Sequence, residues 1–86
     1  MKRIAVIGLL RRQVARMKVK HPGVIFVPKG RHMRMPSGCD VIVCSRFMSH
    51  KELGQAKMCN PHAKVLNAHG GLTSISKAIE EEEDEK

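Results

Sequence analysis

Three uninterrupted apolar runs constrain this chain most: Ile4-Ala5-Val6-Ile7, Val24-Ile25-Phe26-Val27 and Val41-Ile42-Val43-Cys44. A strand with one wet face alternates apolar and polar residues. A strand that is apolar at every position is covered on both faces, as in parallel sheets flanked by helices. The first run is bounded by Gly8. Leu10, Val14, Met17 and His21 then recur at helical spacing and should face the sheet, which predicts a helix over about 9–20 stopped by Pro22-Gly23. Ser49-His50-Lys51-Glu52 fits a capping box, in which the Ser hydroxyl and the Glu carboxylate each accept from the other's free backbone N–H. A helix over about 50–59 follows, and Asn60-Pro61 ends it. Ala63-Lys64-Val65-Leu66 reads as a short fourth strand. After His69-Gly70-Gly71, the residues Leu72, Ile75, Ala78 and Ile79 mark one face of a last helix.

The order β-α-β-β-α-β-α predicts an α/β fold. It would be a small three-layer Rossmann/flavodoxin-like domain, with about four mostly parallel strands in the order 2-1-3-4 and three helices. Residues 1–79 form the single domain. Residues 80–86 form an acidic tail, too charged to pack and expected to fray beyond its first turn. In such a sheet the ligand crevice lies beyond the carboxyl ends of the strands, at the switch point between strands one and three.

The opening Ile4-Ala5-Val6-Ile7-Gly8 strand, the Asp40-Val41-Ile42-Val43 strand leading to Phe47-Met48-Ser49-His50, and the final Gly-rich turn entering a helix form a recognisable set. Together they resemble the small bacterial domain of unknown function 2325 family, over most of residues 3–80. The resemblance implies a Rossmann-like α/β domain and no established chemistry. Here a single glycine, Gly8, is followed by Leu9 where the family pattern is richer in glycine, which argues against a phosphate loop at that turn.

Charge is the second strong signal. The net charge of +8 is split: residues 1–79 hold fifteen Lys/Arg against Asp40 and Glu52, and residues 80–86 hold six acids and one Lys. A body so basic attracts polyanions. Evenly solvated surfaces normally mix both signs. On the first helix, Arg12, Arg16 and Lys20 recur at i, i+4 and i+8 opposite the apolar stripe, flanked by Arg11 and Lys18, with no acid among them. Such a ridge can follow a phosphate backbone. The acidic tail would compete for it.

The crevice should collect Gly8, Arg11 and Arg12 after strand one, and Lys29, Arg31, His32 and Arg34 after strand two. After strand three come Ser45, Arg46, Ser49 and His50. After strand four come Asn67, His69, Gly70 and Gly71. Arg, His and helix N-termini suit phosphate, and His69-Gly70-Gly71 is the most plausible cradle.

Other chemistries find little support in the residues. With two carboxylates before residue 80, paired Asp/Glu acid–base catalysis is excluded. No Walker lysine motif or G-x-G-x-x-G fingerprint is present. Cys39-x4-Cys44 and Cys59-x2-His62 do not match common zinc spacings, so no metal and no cofactor is expected. Cys44 beside Arg46 and His50 could hold a thiolate, but cysteine is more often simply buried. His21 is expected to snorkel at the helix edge. The absence of Trp and Tyr, with only Phe26 and Phe47, argues against aromatic base-stacking platforms. Met33, Met35 and Met48 read as core filling under the long loop. If exposed, they would instead make a homodimer surface.

Three cysteines cannot all pair within one chain, which points to a reducing, cytoplasmic setting. The charged start and short apolar run before Arg11-Arg12 read as a strand rather than a signal peptide, and no segment is long enough to span a membrane. Three functional readings follow. The first is a non-enzymatic module binding nucleic acid through phosphates, by Arg11, Arg12, Arg16 and Lys20 with Lys29, Arg31, Arg34 and Arg46 alongside. The second is a nucleotide or phosphorylated-metabolite binder using Gly8, Ser45, Ser49, His50, His69, Gly70 and Gly71. The third is a protein-interaction or inhibitor module using the Met-rich loop 31–36.

Overall fold

The apolar runs become the centre of a four-stranded parallel sheet in a computed structural model that describes residues 3–30, 35–68 and 70–84. The elements are β1 (Ile4–Leu9), α1 (Arg11–Lys20), β2 (Ile25–Pro28), β3 (Val41–Ser45), α2 (His50–Cys59), β4 (Lys64–Ala68) and α3 (Leu72–Asp84). The strand order is β2-β1-β3-β4, with every neighbouring pair parallel. This is the expected small Rossmann/flavodoxin-like α/β domain. β1 and β3 are central and buried at every position, as their unbroken apolar sequences require.

Period-two alternation sends the two sides of each strand into separate cores. Val6, Leu9, Phe26, Val41 and Val43 pack against Met17 of α1 and Ile75 and Ile79 of α3. Ala5, Ile7, Ile42 and Cys44 pack on the other face against Ala56 of α2 and Cys39, with Met35, Met48 and Leu53 partly buried beside them. Each fully buried Ile or Leu contributes about 1.5–3 kcal/mol. α1 and α3 therefore lie side by side on one face, both running from the carboxyl edge of the sheet to its amino edge.

Several boundaries differ from expectation. β1 does not stop at Gly8 but continues through it to Leu9, with a register irregularity between Ile7 and Leu9. Gly8 takes φ +94°, and an added Cβ would lie 2.6 Å from Ser45 Oγ and 2.9 Å from Met48 Cγ. Only glycine serves there. Leu10 is not on the sheet-facing stripe. It is the 42% exposed N-cap of α1, and its N–H donates to Gln13 Oε1 at 3.0 Å. The capping box at Ser49 is present as expected.

The acidic tail is the largest departure. α3 runs on to Asp84. Glu82 is 5% exposed and its Oε1 accepts from Lys64 Nζ at 2.7 Å. Residue 82 continues the stripe of Leu72, Ile75 and Ile79, so helical phase carries a carboxylate inward and Lys64 meets it. His21 is likewise buried rather than snorkelling. Its Nε2 lies 2.9 Å from Ser76 Oγ and its Nδ1 3.5 Å from Glu83. Buried Asn60 ties Pro36 and Cys39 to α2: it accepts from the Cys39 N–H and donates to the Pro36 and Ala56 carbonyls.

Candidate functional site

The parallel sheet brings the ends of β1, β3 and β4 to one rim, as the topology demands. Leu9, Ser45, Arg46, Ala68, Gly71 and Leu72 line a crevice there of about 30 Å³. That is room for a few waters, well below the volume of about 300–1,000 Å³ of a small-ligand pocket. Gly71 stands at φ +90° immediately before α3, and its carbonyl accepts the Ile75 N–H at 3.2 Å. Gly70 is exposed beside Ser74. His69, Arg31, His32, Met33 and Arg34 lie outside the described residues.

Several rim groups are already engaged. Ser45 is not in the loop after β3. It is the last residue of that strand, 5% exposed, with its Oγ donating to the Gly8 carbonyl at 2.8 Å and accepting from the Phe47 N–H. Ser49 Oγ accepts from the Glu52 N–H as the helix cap. Lys29 Nζ donates to the Phe47 carbonyl at 2.9 Å and pairs with Glu52. The rim is therefore not free of acid. That ammonium, and then the Ser49 N–H, hold the Glu52 carboxyl below its ordinary range. Lys29 is thus neutralised locally, which corrects its expected place among the free cations. Arg46 is exposed and lies over the Phe47 ring at 5.2 Å from its centroid. His50 is exposed at the first position of α2.

The α1 ridge is different. Arg11, Arg12, Arg16, Lys18 and Lys20 are all exposed, and none has a carboxylate partner among the described residues. Arg12, Arg16 and Lys20 repeat every four residues, or about 6 Å along the axis. Beside them, between α1 and α3, runs a groove of about 500 Å³ lined by Arg16, Met17, Val19, Lys20, Leu72, Thr73 and Ser76. Sequence reasoning missed this groove. Its one visible signal was Val19, an apolar residue on the basic face, which is 83% exposed.

Cys44 cannot supply the thiolate considered for it. It is 1% exposed, and burial raises its thiol above the ordinary range, only partly offset by Lys57. Cys39 is raised chiefly by burial too, with Arg3 opposing. Asp40 sits at the amino edge, away from the rim, where its carboxylate accepts the Arg3 N–H at 2.8 Å. Among the described residues no three His, Cys, Asp or Glu side chains gather as a metal site, and no helix is long and apolar enough to cross a membrane.

Fold and charge together define a small Rossmann-like α/β domain with a cationic helical flank. No family model, curated protein or solved structure matches the chain.

Proposed function

We propose that this chain is a non-enzymatic α/β module that binds nucleic acid through its phosphate backbone, using the outer face of α1. The observation that carries the reading is the row Arg12, Arg16 and Lys20 on that face, with Arg11 and Lys18 on the adjoining flank of the helix, all exposed and without carboxylate partners among the described residues. Arg46 extends the same field at the rim. Guanidinium groups take phosphate oxygens bidentately, and their release of counterions on binding supplies affinity without sequence preference.

A small phosphorylated ligand is the weaker alternative, because the rim crevice is about 30 Å³ and Ser45 and Ser49 are already hydrogen-bonded within the protein. Partly buried Met35 and Met48 lend no support to a Met-rich docking surface. Titrating a labelled oligonucleotide across salt concentrations tests the reading. Five phosphate contacts give a log–log slope of about −3.5 on single strands and about −4.5 on duplex. A flat response excludes it.

A further inference from the structure

We infer that the groove between α1 and α3 takes the bases of a single-stranded nucleic acid whose phosphates run along Arg12, Arg16 and Lys20. The inference rests on the phosphate-binding reading and deepens it. Ridge and groove are one surface: Arg16 and Lys20 belong to both. The cations all lie on the α1 wall. The α3 wall offers Leu72, Thr73 and Ser76, and no cation lines it. Further along α3, exposed Glu80 and Glu83 extend toward the amino edge. A strand laid along the groove is therefore oriented by charge, with phosphates toward α1 and away from the end of α3.

What remains for the inner side of the ligand is apolar with hydroxyl groups at its margin. Leu72 is half-buried and aliphatic, Val19 is 83% exposed at the lip and Thr73 presents a hydroxyl, while Met17, 2% exposed, only closes the base of the groove. A duplex shows phosphates outward and keeps its base faces stacked inside, so it would leave these residues uncovered. A single strand has both a polyanionic edge and free flat faces. The volume of about 500 Å³ lies within the range of small-ligand pockets. Bases would pack on aliphatic side chains rather than rings, so their contribution is modest and tolerant of sequence.

The test uses the full chain and three labelled probes at low salt: a thymidine strand of about 15 nucleotides, an abasic strand of equal length, and a duplex of equal charge. The thymidine strand should bind about 10-fold tighter than either of the others. Val19→Ser should cut its affinity about 3-fold and leave the abasic strand and duplex unchanged. Circular dichroism shows whether that surface variant stays folded, and the abasic comparison needs no variant. Equal binding of all three probes overturns this inference and leaves the phosphate reading standing. Absence of binding to all three overturns both. Polyglutamate of matched charge binding as tightly as thymidine also overturns the inference, since the groove would then favour an acidic peptide.

Discussion

The rim at the carboxyl ends of the strands and the outer face of α1 both carry cations, and they use them differently. At the rim, Lys29 is paired with Glu52 and hydrogen-bonded to the Phe47 carbonyl, and Ser45 bonds the Gly8 carbonyl. The rim holds its own loops together. On α1, the side chains of Arg12, Arg16 and Lys20 reach solvent with no described acid near enough to pair. Whether a cation is available to a ligand thus depends on which carboxylates folding brings beside it. Counting basic residues along a loop does not reveal this.

The contrast can be broken most forcefully at Gly8. Gly8→Ala forces a side chain into the left-handed region and against Ser45 and Met48. It should cost about 2–5 kcal/mol of stability, read from urea unfolding. Polyanion affinity of the remaining folded protein should barely change, and a large loss would mean that the rim carries more of the interface than Arg46 alone.

The next effect separates the two regions directly. Arg12→Ala with Arg16→Ala should weaken oligonucleotide binding about 100-fold and reduce the salt slope by about 2, whereas Lys29→Met should change affinity less than about 3-fold. If Lys29→Met matched the double variant, the distinction between rim and ridge would collapse.

A smaller effect sharpens the same point through pH. Lys29 holds the folded-state Glu52 carboxyl below its ordinary value near 4.5. A depressed carboxyl stabilises the fold above that ordinary value, and the contribution disappears as pH falls through the folded one. Urea midpoints should therefore drop between about pH 6 and pH 3, and Lys29→Met should flatten part of that drop. An identical profile in the variant would show that the pair does not contribute.

The least perturbing measurement is thiol labelling. Cys59 is exposed, while Cys39 and Cys44 are buried with raised thiols. One thiol should alkylate in the folded protein and three after unfolding. Rapid native labelling at Cys44 would mean that the sheet face beneath α2 opens.

Much of the architecture was legible because it is written in local periodicity. Continuous apolar runs marked β1, β2 and β3, and Ser49 with Glu52 marked the start of α2. The phase of Leu72, Ile75 and Ile79 also pointed residue 82 inward, but the charge of the surrounding acids masked that signal. The outward face of α1 was readable for the same periodic reason. The groove was not, because its second wall comes from α3, distant in sequence. Nor was the Lys29–Glu52 pair, whose members are separated by β3 and its flanking loops.

By itself the sequence determined the order of elements, the two-sided burial of the central strands and the charged stripe of α1. Each follows from spacings of two to four residues along one strand or helix. The tertiary structure alone decided which charges cancel: Lys29 with Glu52 and Lys64 with Glu82. Coulomb attraction and hydrogen bonding act over a few ångströms, and only chain crossovers bring such distant residues that close.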